Sequence, residues 1–261
     1  MATGRTTKRW ARIYVDGVDL SGYTREVGPL SWTYPEVELV SLLDAVKGAL
    51  PDQPEIGIGT LNGIFDNTAT VGIHAALSTA GVSRKVLIAQ GIRGDPAQGD
   101  PVFMGAFNHN GYAISPSGGD IALTCPFGKT SPAEGMLYEQ PWGVLLHANS
   151  QETGANTAVG VDDFGAGTLP VKGGYLVCHI LSVTGTGSVT VSLQDASTNS
   201  NGSFGALNPV VSTGAIAHTA IPYAGIIQLG IGATIKRYVR WQIAFSTITA
   251  AYFVLGFCRG R

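Results

Sequence analysis

Charged residues are scarce in this 261-residue chain. Asp, Glu, Lys and Arg make up 13% of it, while 44% is hydrophobic and 36 residues are Gly. Soluble globular proteins usually carry about a quarter charged residues. A surface with so few charges protects poorly against association. The composition therefore predicts a β-rich protein whose surface is largely covered by copies of itself.

The few charges are unevenly placed, and no basic cluster is dense. Residues 1–140 hold 14 acids and 10 bases, whereas residues 141–261 hold 4 acids and 6 bases. The densest basic group is Lys236–Arg240. Alternation in a strand would send its charges to both faces, so we expect a strand edge or a subunit contact there. Affinity for nucleic acid through phosphate neutralisation is not expected.

Cysteines are few and widely spaced: Cys125, Cys178 and Cys258. An odd number without a Cys-x-x-Cys pair supports neither a zinc site nor a disulfide framework, so we expect three buried thiols and no metal or other cofactor. The chain also lacks an apolar run of 18 residues, and its basic N-terminus is not followed by the apolar segment of a signal peptide. Synthesis in a cytosol without membrane insertion is expected.

Residue patterns for catalysis are lacking as well. Asp162 and Asp163 are adjacent, so a strand would point them apart, whereas glycosidases need two carboxylates that face one cleft. A Gly-x-Ser-x-Gly elbow, a Ser-His-acid order and a Gly-rich phosphate loop are missing. His74 is expected to pack in the core and not to ligate a metal. The chain is not expected to be an enzyme.

The opening segment predicts a hairpin. Arg12–Val15 alternates as a strand does, and Asp16-Gly17 is a turn signal because glycine accepts positive φ. The polar groups of Asp16, Asp19 and Ser21 are expected to cap local backbone.

The next segment, residues 36–50, has apolar residues at positions 39, 42, 43, 46 and 50. This spacing fits one face of a short helix ended by Pro51. A loop that takes up structure on a neighbouring subunit is the alternative, and the sequence leaves both open.

The remainder of the first half predicts strands around one helix. Strands are expected at residues 55–65, 84–90, 102–107, 112–115 and 119–125, which would form a barrel or a sandwich. The helix is expected to begin near Asp66-Asn67-Thr68, to contain Ile73 and Leu77, and to stop at Gly81.

The second half predicts an antiparallel β-sandwich without helices. Segments of alternating polarity are expected to be strands at residues 142–148, 175–183, 188–194, 221–229, 235–245 and 251–258. Pro-rich residues 130–141 would be the linker between two domains, at 1–135 and 136–261. Trp142, Tyr175, Tyr223 and Trp241 are candidates for stacking against sugars, although Trp241 is expected to fill the core.

Several segments, taken in order and spacing, resemble phage tail tube (major tail) proteins of long-tailed bacteriophages. These segments are Val15–Arg25, Leu50-Pro51, Gly59–Asp66, Ile73–Leu77, Gly99–Met104 and Gly119–Leu123. The resemblance covers roughly residues 10–130. It implies a tail-tube-like β-barrel or sandwich with one helix, to which a jelly-roll or Ig-like outer sandwich is appended. The second half resembles, more weakly, the appended sandwich domains of phage virion proteins.

The resemblance also implies a function: hexameric rings that stack into a tube and conduct double-stranded DNA non-specifically. An N-terminal arm and a long loop would make the contacts between rings, with other tail or head-tail proteins as further partners. Interface residues at these places are Arg9, Trp10, Trp32, Tyr34, Leu39, Leu42, Leu43 and Val46. The expected location is the virion tail, after assembly in the host cytoplasm. A capsid decoration (cement) protein and a carbohydrate-binding virion spike are the alternatives.

Overall fold

The fold is mainly β. The computed structural model describes residues 8–39, 48–92, 94–117, 119–131, 140–162, 173–208, 210–230 and 232–260. Within these ranges every strand pairing is antiparallel, and the single α-helix, α1, spans Ile73–Leu77. The predicted mainly β fold of the sandwich class is therefore confirmed.

The first half contains twelve strands in the described ranges. They are β1 (Ala11–Val15), β2 (Val18–Asp19), β3 (Thr24–Val27), β4 (Leu30–Thr33), β5 (Glu36–Leu39), β6 (Gly48–Pro51), β7 (Glu55–Ile58), β8 (Thr60–Ile64), β9 (Val82–Gln90), β10 (Pro101–His109), β11 (Ala113–Ser117) and β12 (Asp120–Thr130).

The second half contains two very long strands and five shorter ones. They are β13 (Trp142–Glu152), β14 (Val161–Asp162), β15 (Gly174–Ala196), β16 (Gly205–Ala206), β17 (Ile216–Ala217), β18 (Tyr223–Leu229) and β19 (Tyr238–Arg259).

Two sheets enclose the core of the first half. Strands β2, β1, β9 and β10 form one sheet, and β3, β8, β12 and β11 form the other, with β4 and β7 beside β12. Apolar side chains alternate inward from both sheets, as they must when one face of each is buried. The buried set includes Ile13, Val15, Leu61, Ile88, Phe103, Phe107, Leu123 and Cys125, and α1 adds Ile73 and Leu77.

The opening hairpin forms as predicted. Tyr14 pairs with Asp19 and Val15 with Val18, and the turn residues Asp16 and Gly17 both have positive φ, at 47° and 84°. Two positive φ values suit the right-handed twist of a two-residue hairpin. β1 also pairs with β9 along its whole length. The Gly17 N–H donates to His179 Nδ1 at 3.0 Å, so the turn contacts β15 in the second half.

The sheet of the first half continues into the second. β10 pairs with β13, β13 with β19, and β19 with β15. The outward face of β1, β9 and β10 is apolar too, and it packs against the second half in a shared core formed by Tyr14, Leu87, Met104, Leu145, Tyr175, Val177, Val254 and Cys258. The division at residues 135 and 136 stays a prediction, since residues 132–139 lie outside the described ranges.

Strands β15 and β19 differ from the prediction in length. Each was expected as two strands, but β15 spans 23 residues and β19 spans 22, and they pair along most of both. The expected turns are irregularities within the ladder, at Gly185, Gly187 and Thr247, where the register shifts and φ is positive. Such bulges bend a pair of strands without ending it. The far side of this ladder buries Trp241 in a third core, as predicted.

The helix predicted over residues 36–50 is wrong for the described part. Residues 36–39 and 48–51 are strands β5 and β6, which pair with each other. Glu36-Val37-Glu38-Leu39 alternates polar and apolar residues, and this strand period prevails over the helical spacing of the leucines. Residues 40–47 lie outside the described ranges.

The predicted helix before Gly81 is present but short. α1 begins after Gly72, which makes no side-chain cap, so the predicted caps at residues 66–68 are wrong. The Asp66 carboxylate instead accepts a hydrogen bond from the Thr68 N–H at 2.7 Å, within the preceding loop. His74 packs as expected: its Nδ1 lies 2.5 Å from the Tyr112 hydroxyl, and its ring packs against Phe65.

Candidate functional site

The 36–51 hairpin, formed by β5 and β6, is the segment that the rest of the described fold covers least. Its strands pair only with each other in the described ranges, with Val37 opposite Leu50. The Asp52 N–H donates to the Pro35 carbonyl at 2.7 Å and closes its base. An isolated two-stranded hairpin is marginally stable in water. Contact with another surface would therefore stabilise it.

Large apolar side chains are exposed on this hairpin and at its base. The exposed fractions are 37% for Trp32, 43% for Tyr34, 46% for Val37 and 57% for Leu50. The Trp32 and Tyr34 rings lie 6.0 Å apart between centroids, inclined by 51°. Adjacent exposed aromatic and aliphatic side chains are typical of a protein interaction site. Two predicted interface residues, Trp32 and Tyr34, are thus brought together.

Arg9 and Trp10 lie in a single 3₁₀ turn, Lys8–Trp10, that precedes β1. The Trp10 carbonyl accepts a hydrogen bond from the Gly91 N–H at 3.0 Å, and the Arg9 guanidinium lies 4.8 Å from the centroid of the Trp10 ring. This turn is anchored to the end of β9. Arg9 remains exposed, as an interface residue must be before assembly.

The other predicted interface residues cannot be placed in the same way. Leu39 ends strand β5. Leu42, Leu43 and Val46 lie outside the described residues. The assignment of all eight residues to an interface stays a prediction.

A groove of about 540 Å³ lies beside the Lys8–Trp10 turn. Its apolar lining includes Ile13, Leu30 and Ile88, and its charged lining consists of Lys8, Arg9, Arg12, Arg25 and Glu26. Arg12 pairs with Asp95, and Arg25 pairs with Asp120. Because acids offset the charges of these two arginines, Lys8 and Arg9 supply most of the positive charge of the groove. The sequence did not reveal it, because its lining comes from the 3₁₀ turn and from strands β1, β3, β4 and β9.

The Lys236–Arg240 segment makes contacts within the chain, and the strand edge or subunit contact expected there stays a prediction. Lys236 pairs with Asp195 at 3.2 Å, and Arg237 pairs with Asp162 at 2.7 Å. Arg240 is buried, where it donates to the Gln194 side chain and the Ala158 carbonyl. A buried guanidinium needs such acceptors, because an unpaired charge in the interior is costly.

The four aromatic candidates for sugar stacking do not form a common platform. Tyr175 and Trp241 are buried, with 1% and 5% exposed. Trp142 packs edge-on against Phe103 at 5.2 Å, and Tyr223 packs against the core of the second half. Stacking on a sugar needs exposed ring faces. The carbohydrate site predicted from these residues is therefore wrong.

One Ser-His-Glu cluster occurs, but its geometry differs from a catalytic triad. Ser150 Oγ and Glu152 Oε1 lie 3.3 Å and 2.9 Å from the same nitrogen, Nε2 of His147. The other nitrogen, Nδ1, lies 2.9 Å from the Phe253 carbonyl oxygen. A triad places the nucleophile and the carboxylate on opposite ring nitrogens. Burial lowers the pKa of His147, while its hydrogen bonds to Glu152 and Phe253 oppose that shift.

The three cysteines are described next to the other groups that could ligate a metal ion. The thiols of Cys125, Cys178 and Cys258 are buried, as predicted. Burial raises the pKa of the Cys125 thiol to about 12. Among the described residues, no three histidine, cysteine or carboxylate side chains come together as ligands for a metal ion. The described helices include none that is long and apolar enough to span a membrane.

Comparison with known proteins gives likenesses among solved structures. No protein-family model matches the chain, and no curated protein does. The crystal structure of the Dit protein of phage SPP1, described as a paradigm of the hub adsorption apparatus in phages that infect Gram-positive bacteria, is similar over 95% of this chain and 99% of that one. The identity is 11% and the TM-score 0.32, values at which a likeness does not establish a shared function.

Proposed function

We propose that the protein is a structural protein of a phage tail, and more specifically the subunit of a tail tube built from stacked hexameric rings. The observation that carries the proposal is the 36–51 hairpin with its exposed aromatic and aliphatic side chains. A monomer would leave this surface in water. A homo-oligomer covers it with identical neighbours. The sequence resemblance to tail tube proteins implies that the copies form a ring and that the ring contains six of them.

Charge complementarity favours a second copy as the partner of the hairpin. Glu36 and Glu38 lie on β5, and Asp52 directly follows β6. The groove beside the Lys8–Trp10 turn has an apolar lining and carries the positive charges of Lys8 and Arg9. A hairpin that is apolar and acidic matches a groove that is apolar and basic, and such matching sets the register of an interface. One copy would thus place its hairpin in the groove of the next.

A tube would have two further kinds of partner, DNA and other proteins of the tail or of the head-tail junction. Double-stranded DNA would pass through it without sequence-specific contacts, and the net charge of −4 in residues 1–140 suits a wall that repels phosphate. Other tail or head-tail proteins would cap the tube at its ends. The protein would be assembled in the host cytoplasm and reside in the virion tail.

Electron microscopy of the purified protein in negative stain tests this proposal. Rings with six-fold symmetry, or tubes, are expected from the wild-type protein at high concentration. The Trp32→Ser/Tyr34→Ser double variant should remain monomeric in analytical ultracentrifugation, because the exposed parts of both side chains, 37% and 43%, would be the contact with a neighbour.

The matched control is Val210→Ser, which removes an apolar side chain that is 68% exposed in the second half. This variant should assemble as the wild type does. A wild-type protein that stays monomeric at high concentration contradicts the proposal. Discrete trimers would instead favour a capsid decoration protein.

A further inference from the structure

A second groove lies where the opening hairpin meets the second half of the molecule. This tyrosine groove has a volume of about 330 Å³ and is lined by Asp19, Tyr23, Asn149, Ser182, Pro222 and Tyr252, with further apolar side chains between them. Its walls come from the segment after β1 and from strands β13, β15 and β19. A concave site of this size, with an apolar lining and a few polar groups, is the usual form of a small-molecule site.

A carboxylate and an amide are held side by side in the tyrosine groove. Asn149 Nδ2 donates to Asp19 Oδ2 at 3.2 Å, and the Ser21 N–H donates to Asp19 Oδ1 at 2.9 Å. Beneath them lies the buried hydroxyl of Tyr14, whose pKa is raised by burial and by the negative charge of Asp19, while a hydrogen bond with Asn149 acts in the opposite direction. The pair is therefore positioned before any ligand arrives.

Such a pair offers complementary groups to a ligand with several hydroxyls. The Asp19 carboxylate accepts hydrogen bonds, and the Asn149 amide both donates and accepts them. Ser182, which is exposed, adds a hydroxyl that does either. Neighbouring hydroxyl groups of a pyranose present donors and acceptors at the same close spacing. A carboxylate is a strong acceptor for them, because hydrogen bonds to charged groups are stronger than neutral ones.

Aromatic and aliphatic surface faces the same space. Tyr252 is 39% exposed and Val71 is 49% exposed, and both line the groove with Tyr23. The Tyr252 hydroxyl lies 3.4 Å from Gln151 Oε1, at the exposed edge of the ring. Aromatic rings supply rigid apolar area for the C–H face of a sugar ring. The groove therefore combines ring faces with hydroxyl-binding groups.

The negative charge of the tyrosine groove disfavours anionic ligands. Asp19 carries the only formal charge among the lining residues that the structure describes. A carboxylate without a basic neighbour in the groove disfavours phosphates, nucleic acids and acidic sugars. We propose that the tyrosine groove binds a neutral saccharide, with Asp19 and Asn149 on adjacent hydroxyls and Tyr252 against the ring face. This inference is independent of the proposed assembly.

Ligand-observed NMR on the intact protein tests the inference. A panel of neutral saccharides (lactose, cellobiose, maltose and chitobiose) is compared with sialyllactose as the acidic probe. Saturation transfer to at least one neutral saccharide is expected, with weaker transfer to sialyllactose. The Tyr252→Ala variant should weaken the binding about two- to tenfold, the range that corresponds to the loss of an aromatic contact. Asn149→Ala should weaken it at least as much, because it also releases Asp19.

Two further variants separate a binding role from a structural one. Tyr252→Phe keeps the ring and should bind as the wild type does. Ile121→Ala removes a side chain on β12 that is 42% exposed and lies outside the groove, so it should leave the binding unchanged. Thermal unfolding confirms that each variant is folded. Absence of saturation transfer to every neutral saccharide overturns the inference. Binding that survives both Tyr252→Ala and Asn149→Ala overturns it as well, because the saccharide would then lie elsewhere.

Discussion

For single residues, a sequence pattern predicts the local conformation but not the hydrogen-bond partner. Local capping was predicted for three polar residues of the opening hairpin, and Asp19 and Ser21 do cap nearby N–H groups. Asp16 is different: its carboxylate accepts hydrogen bonds from the Lys85 N–H and from the Arg84 guanidinium, both at 2.9 Å. The turn could be predicted from Asp-Gly alone. The partner could not, because it lies on β9, about 70 positions along the chain.

Buried His179 should make the stability of the fold depend on pH. It is fully buried, and its Nδ1 accepts a hydrogen bond from the Gly17 N–H at 3.0 Å. Burial, with a smaller effect from the positive charge of Lys85, lowers its pKa to about 3. A histidine in the unfolded chain titrates near 6.5. The unfolded state therefore binds more protons than the folded state between these values, and the stability contributed above pH 6.5 is lost as the pH falls towards 3.

The expected loss from this group is about 2 kcal/mol between pH 7 and pH 5. Urea unfolding at pH 7, 6 and 5 measures it. His109 and His147 have lowered pKa values too and contribute in the same direction, so the wild type is compared with His179→Gln, which does not titrate. The variant should show a shallower dependence on pH. Parallel curves for the two proteins would contradict the burial of a neutral His179.

At the scale of elements, hydrophobic alternation was the most reliable guide. It predicted the strands from residue 84 to residue 125 and most of those in the second half. It failed where two signals competed. The spacing of leucines at residues 39–46 favoured a helix, and the described ends of this segment are strands. Glycines in the second half suggested turns, but a glycine can equally mark a bulge within a longer strand, and only the pairing partner decides.

Gly187 lies at the bend of β15 and β19, where an added side chain should destabilise the fold. Its φ is 137°, and a Cβ built there would lie 1.9 Å from the Ser246 carbonyl oxygen. The Gly187→Ala substitution forces apart the backbones of β15 and β19 at their bend. We expect it to lower the free energy of unfolding by roughly 2 kcal/mol or more, because both backbone strain and steric overlap act.

Denaturant unfolding of Gly187→Ala measures this effect. The matched control is Gly202→Ala, at a position where a Cβ meets nothing within 4 Å and φ is not positive. The control should differ from the wild type by less than about 0.5 kcal/mol. Equal stability of the two variants would contradict the described bulge.

At the scale of the whole molecule, the contact between the two halves could not be predicted. Sequence patterns indicate that a strand has an apolar face, but not which other face covers it. β1 and β9 carry apolar residues on both faces, and the second face packs on Tyr175 and Val254. Both grooves depend on such long-range placement. Their lining residues come from segments up to about 230 positions apart, so no local pattern could reveal them.

The Tyr175 hydroxyl tests whether the shared core joins the halves into one cooperative unit. It donates to the Gln140 carbonyl at 2.7 Å and lies 3.2 Å from the Met104 carbonyl oxygen, so it connects β15 with β10. Tyr175→Phe removes this donor from both carbonyls, and the Gln140 carbonyl keeps only the weaker Cys258 thiol donor at 3.2 Å. We expect a loss of about 1–3 kcal/mol. Because the core contains residues of both halves, differential scanning calorimetry should show one transition in the wild type and one, at lower temperature, in the variant.

The ratio of calorimetric to van 't Hoff enthalpy should be close to one in both proteins if the halves unfold together. Ile180→Val is the matched control, because it removes one methylene from the core of the second half alone and should cost about 0.5–1.5 kcal/mol. It should likewise move the entire transition. Two separate transitions, of which Ile180→Val shifts only one, would show that the shared core does not couple the halves and that each unfolds by itself.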